Sequence, residues 1–128
     1  MRALIDTHTL IWMAADEVKL GAMALGVSRD PANQLLVSIA SLWELAIKTG
    51  LGKLNLSLSF AEFVTQVFDR FAIELLPITT DHLVTLTQLP YHHRDPFDRL
   101  LAAQCRSDVL PIVSIDSAFD VYGVQRIW

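Results

Sequence analysis

The chain of 128 residues has one cysteine, five glycines and five prolines. A lone Cys105 cannot close an intramolecular disulfide, and it cannot supply the several thiolates of a structural zinc or iron–sulfur site. So little glycine and proline beside 52% hydrophobic residues excludes a collagen-like, low-complexity or disordered chain. The apolar content suits one core better than two small ones, so residues 1–128 read as a single domain. Positive charge is also scarce. Ten Lys+Arg against fourteen Asp+Glu give a formal net charge of −4, which leaves no basic footprint for tight non-specific binding to nucleic acid. Glycine-rich phosphate loops are absent, and no Ser/His/Asp or Cys/His nucleophile arrangement is legible. No apolar stretch reaches the roughly 18 residues of a spanning helix, and Asp6 and His8 break the apolar start where a secretory signal would be uninterrupted. The expectation is a cytoplasmic protein with no membrane partner.

What is present alternates. Arg2-Ala-Leu-Ile-Asp6, Leu35-Leu-Val-Ser38 and Leu110-Pro-Ile-Val-Ser114 are apolar runs closed by a small or acidic polar residue, the pattern of parallel strands covered on both faces. Ile73 to Pro77 and Val124 to Ile127 add two shorter candidates, for a sheet of four or five strands. Helical patterns are predicted over Thr9 to Ala15, Leu20 to Val27, Ser41 to Thr49, Ser59 to Phe71, Asp81 to Leu89 and Pro96 to Asp108, with turns at Asp30-Pro31 and Gly50-Leu-Gly52. Strands alternating with helices indicate an α/β sandwich.

The acids fall at the ends of these elements. Asp6 closes the first strand, Glu44 sits one turn into the helix after the second, Asp95 and Asp98 open the Pro96 helix, and Asp116 follows the strand ending at Ser114. In a parallel sheet these places line one crevice. Taken singly, most have a structural use: Ser41-Leu-Trp-Glu44 has the spacing of a capping box, Asp95 before Pro96 is a good N-cap, Asp98 suits a first helical turn, and Asp116 can cap the helix holding Phe119. Asp6 alone has no such use.

Taken together, they carry an electrostatic cost. Two unit charges about 7 Å apart at an effective dielectric near 20 repel by roughly 2–3 kcal/mol, so four close carboxylates reach the order of 10 kcal/mol. That rivals the ~5–15 kcal/mol stability of a domain. Partial protonation, hydration or bound cations must relieve it. Oxygen ligands without thiolate favour Mg2+ or Mn2+, and such ions turn an acidic crevice into a seat for phosphate.

Four stretches, Leu4-Ile-Asp-Thr-His-Thr-Leu-Ile-Trp12, Ser38-Ile-Ala-Ser-Leu-Trp-Glu-Leu-Ala-Ile-Lys48, His92-His-Arg-Asp-Pro-Phe-Asp-Arg-Leu-Leu-Ala-Ala-Gln104 and Ser114-Ile-Asp-Ser-Ala-Phe119, resemble the PIN-domain family in its branch of VapC-type toxin ribonucleases. The likeness runs from Ile5 to Trp128. It implies a three-layer α/β/α sandwich around a twisted parallel sheet, and an Mg2+- or Mn2+-dependent endoribonuclease that a cognate antitoxin holds inactive. It places metal-binding, catalytic acids at Asp6, Glu44, Asp98 and Asp116. Asp95 belongs to the same signature but suits capping, and with Thr7 and Ser114 is expected to support these acids.

Around them, His92, His93, Arg94 and Arg99 are candidate contacts to RNA phosphates, with Arg99 pairing to Asp95 as the plain alternative. The histidines lack the spacing of a zinc site. Trp12, Trp43 and Phe97 could stack on bases, but for Trp43 and Phe97 burial against the sheet is the default expectation. Phe60, Phe63, Val64, Val67, Phe68 and Phe71 recur at helical spacing, as a core face shared with a groove for an antitoxin or a second copy in a homodimer. Two other readings compete. A phosphoaspartyl phosphatase would need an acid where His8 stands, and a receiver would need a strand-end lysine that no strand provides. A non-catalytic PIN-like module binding RNA or protein would have no use for the full set of acids.

Overall fold

Apolar runs without alternation become the strands of a sheet covered on both faces. The computed structural model describes residues Met1 to Trp128. The order along the chain is β1 (Arg2–Ile5), α1 (Thr7–Ala15), α2 (Ala22–Arg29), β2 (Gln34–Ser38), α3 (Ile39–Gly50), α4 (Phe60–Phe71), β3 (Glu74–Leu76), α5 (Thr80–Gln88), α6 (Pro96–Asp108), β4 (Ile112–Val113) and β5 (Arg126–Ile127). Short 3-10 helices span Glu17–Lys19 and Ser117–Tyr122. All strand pairs are parallel, in the order β3-β2-β1-β4-β5. The upper expectation of five strands is therefore met.

Side chains leave alternate faces of a strand, and that divides the core in two. Leu4, Leu36 and Ile112 point to one side, where they pack with Leu101, Ala102, Cys105, Phe119 and Tyr122. Ala3, Ile5, Leu35, Val37 and Val113 point to the other, against Leu10, Met13, Ala24, Leu45, Phe63 and Val67. Helices α5 and α6 thus cover one face and α1, α2 and α4 the other, a three-layer α/β/α arrangement. On α4 the expected stripe divides: Phe63 and Val67 are buried, while Phe60, Val64, Phe68 and Phe71 pack half-buried at its border. Burial raises the Cys105 thiol far above its ordinary range, so it is an inert core residue. No helix is long and apolar enough to cross a membrane.

The α5–α6 layer is pinned by a buried histidine. His82, 2% exposed, accepts the Thr79 backbone N–H at its Nδ1 (3.0 Å), so its Nε2 carries the proton and donates to the Asp108 carboxylate (3.0 Å). Replacing it leaves a cavity and strips the Thr79 amide and Asp108 of a partner. His82→Ala is expected to lower unfolding stability by about 3 kcal/mol in urea titrations. It should leave the acids of the opposite edge undisturbed.

Candidate active site

In a wholly parallel sheet every strand ends on the same edge, and here β1 sits where the connections turn from one side of the sheet to the other. The chain runs outward through β2 and β3, then crosses back to β4 on the far side of β1. A crevice opens at such a switch point, outside the carboxyl ends of the strands. Asp6 follows β1 directly, Ser114 and Asp116 follow β4, Glu44 projects from α3 after β2, and Asp95 and Asp98 stand at the start of α6.

Asp6 is 5% exposed. Its Oδ1 accepts the Thr9 backbone N–H at 2.8 Å, which makes it the N-cap of α1, a structural use that the strand pattern did not suggest. Its Oδ2 accepts the Ser114 hydroxyl. Ser114 in turn accepts the Asp116 backbone N–H at 3.0 Å, so one hydroxyl joins the ends of β1 and β4. Burial raises the Asp6 pKa, and the bonds from Ser114 and Thr9 only partly oppose it. Asp116 caps the following 3-10 helix through the Ala118 N–H at 2.9 Å. Asp95 caps α6, its Oδ1 accepting the amides of Phe97 (2.9 Å) and Asp98 (3.3 Å), with Pro96 in the first turn as the sequence suggested.

Glu44 is not in a capping box. α3 starts at Ile39, capped by Ser38, whose Oγ accepts the Ala40 amide at 3.0 Å. Ser38 ends β2 and begins the helix with no loop between, so Glu44 lies in the second turn, beyond reach of the unsatisfied amides. It is buried at 7% exposure and paired with Lys48 at 3.0 Å. Lys48 is a partner the sequence reading passed over, although its i,i+4 spacing was the available signal. Ser41, the expected cap, instead has a buried hydroxyl without a partner, as has Thr7 beside Asp6.

Asp98 registers the company of all these groups. Its pKa is pushed from 3.8 up to about 7, first by desolvation, then by Asp95, Asp116, Glu44 and Asp6. Burial and neighbouring carboxylates both disfavour charge here, and a bound cation would offset both. The donor set of carboxylates, lacking any thiolate, fits a hard, hydrated divalent ion. Ligand atoms of His93, Asp98 and Asp116 all lie within 4.8 Å of one another.

The flanking expectations divide. Arg99 neither pairs with Asp95 nor faces open solvent. It is 6% exposed, donates to the carbonyls of Pro90 (2.8 Å) and Leu89 (3.4 Å) and to the Tyr122 hydroxyl (3.4 Å), and is covered by the Tyr91 ring. A guanidinium with five donors is the group that can tie an irregular loop to a helix in this way. The His92 ring lies against Tyr122, and Arg94 is exposed. Trp43 departs from the expected burial: it is 59% exposed and meets Phe97 edge-on at 5.3 Å. Its helix turns Leu45 and Glu44 inward, which leaves position 43 facing out.

Comparison with known proteins found no match among curated sequences. Among solved structures, the chain is similar to VapBC2 from Rickettsia felis bound to a promoter DNA fragment, at 12% identity over 100% of both chains with a TM-score of 0.73. It is similar to DNA-bound VapBC from Salmonella typhimurium, at 18% identity over 98% of this chain and 96% of that one, with a TM-score of 0.67. It is also similar to VapBC-5 from Mycobacterium tuberculosis, a toxin–antitoxin system, at 18% identity over 98% and 97% with a TM-score of 0.63. At such identities the likeness is one of fold. The sequence model of the PIN domain matches residues 3–124. With nearly its whole length matched and its five parallel strands in place, the chain belongs to the PIN-domain family.

Proposed function

We propose that this protein is a metal-dependent endoribonuclease that hydrolyses RNA phosphodiester bonds in the cytoplasm, as the toxin of a type II toxin–antitoxin pair. The observation that carries the proposal is the gathering of Asp6, Glu44, Asp98 and Asp116 in one crevice at the ends of β1 and β4, where burial first and the neighbouring carboxylates second raise the Asp98 pKa. Asp6 and Asp116 also cap helices, but gathering four acids at one strand edge carries a repulsion that capping does not offset and a bound cation would. Asp6, Glu44, Asp98 and Asp116 would hold one or two Mg2+ or Mn2+ ions. When bound, the ion activates water and offsets charge developing on the phosphate.

The chain's own residues set the geometry. Thr9 and Ser114 fix both oxygens of Asp6, Asp95 anchors the turn that carries Asp98, and Lys48 holds Glu44 in place until a cation arrives. Likeness to toxin chains solved within VapBC complexes supports an antitoxin partner. The apolar cleft between α1 and α4, lined by Ile11, Leu54, Leu56, Phe63 and Val67, offers that partner a face. The outer side of α3, where Ile39, Trp43 and Ile47 are exposed, is left as a face for a homodimer.

Purified protein incubated with structured and single-stranded RNA in Mg2+ or Mn2+ is expected to cleave internally, leaving 5′-phosphate and 3′-hydroxyl ends. EDTA should stop cleavage by at least about 100-fold and excess metal should restore it. Cleavage indifferent to EDTA, or products ending in a cyclic phosphate, would overturn the proposal. RNA bound but never cut would make the chain a binding module.

A further inference from the structure

His93 lies in the loop before α6, five residues ahead of Asp98. Its Nδ1 accepts the backbone N–H of Asp95 at 3.0 Å. That contact decides two things. It fixes the ring's orientation, because a ring turned over would set a carbon-bound hydrogen against the amide hydrogen. It also fixes the tautomer: a nitrogen that accepts cannot carry the proton, so in the neutral ring Nε2 does. Nε2 stands 3.7 Å from Asp98 Oδ2, and a ring nitrogen lies within 4.8 Å of a carboxylate oxygen of Asp116. At 3.7 Å it makes no direct hydrogen bond to Asp98. An N–H donor is therefore aimed into the carboxylate cluster with its bonding capacity unspent.

Proximity to two carboxylates suggests a third metal ligand, but the tautomer argues otherwise, since coordination needs a lone pair on Nε2 and that position holds hydrogen. Resting on the nuclease reading above, we propose that His93 donates from Nε2 to a non-bridging oxygen of the scissile phosphate and is not a metal ligand. No oxygen stands within hydrogen-bond distance of Nε2, and a phosphate oxygen could take that place. Once cations offset Asp98 and Asp116, an anionic oxygen can approach the same space, and the Asp95 amide has already set the donor's direction. His92 is not so placed, because its ring lies against Tyr122.

Three measurements separate these roles. In wild-type protein loaded with Mn2+, electron spin-echo modulation is expected to lack the nitrogen coupling of a bound imidazole; its presence would overturn the proposal without any variant. His93→Ala should bind Mn2+ within about twofold of wild type, yet lose about 10- to 100-fold in RNA cleavage, the worth of one hydrogen bond to a charged group. His93→Gln, which can return an N–H near the same point, should recover at least about a third of the loss on a logarithmic scale. A His93→Ala protein that is folded by circular dichroism and cleaves at the wild-type rate sinks the inference but leaves the nuclease intact. Wild-type protein that cleaves no RNA with any divalent metal sinks both.

Discussion

Asp6→Asn is expected to lose RNA cleavage by about a thousandfold or more while the protein stays folded. The loss corresponds to about 4 kcal/mol of transition-state stabilisation. Asparagine has the same shape and remains a strong N-cap, so its amide oxygen can keep accepting from the Thr9 N–H. On the other side, the amide NH2 can donate to the Ser114 hydroxyl, which now donates to Asp6. What disappears is the negative oxygen at the end of β1. Because burial already disfavours charge on Asp6, the metal-free variant should be at least as stable as wild type by chemical denaturation. Unchanged cleavage by a folded Asp6→Asn protein would remove Asp6 from the proposed metal centre. A variant that fails to fold would instead assign Asp6 to the architecture.

The second large effect couples pH, metal and stability at Asp98. Its pKa is raised in the folded protein from 3.8 to about 7. Between those values the native state therefore holds a proton that the unfolded chain releases. Stability of the metal-free protein accordingly falls as pH rises through this window and levels off above pH 7. Asp98 retains 26% side-chain exposure, so screening reduces the full linkage to about 2 kcal/mol. Asp6, shifted in the same direction, adds to the slope.

Divalent ions must displace that proton, so Mn2+ affinity measured calorimetrically should rise about tenfold from pH 6 to pH 8. Saturating Mg2+ at about 100 times its Kd should then restore roughly 2.7 kcal/mol at pH 8. Asp98→Asn should be more stable than wild type at pH 8 without metal, with a flatter pH profile and little response to Mg2+. Equal stabilisation of the two proteins by Mg2+ would mean that the ion binds elsewhere.

The strands were legible because a sheet covered on both faces needs apolar residues at successive positions, as in Ala3-Leu4-Ile5 and Leu35-Leu36-Val37. The caps at Asp95 and Asp116 were legible too, since N-capping depends on local chemistry. The start of α3 was not. Ser38 and Ser41 are both competent caps, and only the β2 register, which pairs Ser38 with Leu76, shows that the strand runs straight into the helix. From that shift follow the burial of Glu44 beside Lys48 and the outward turn of Trp43. Arg99 was equally opaque, because its acceptors Leu89 and Pro90 lie in a loop whose path no periodicity describes.

By itself the sequence determined the alternation of elements, the family, and which acids stand at element ends, for these depend on hydrophobic pattern and neighbouring residues. Only the tertiary structure decided that Asp6 and Asp116, far from Asp98 along the chain, come close enough to help raise its pKa, that His93 aims an N–H toward Asp98, and that Arg99 is a buried tie. Coulomb energy and hydrogen bonding depend on distance in space. The order of strands about β1 sets that distance, and it comes from the packing of the whole sheet.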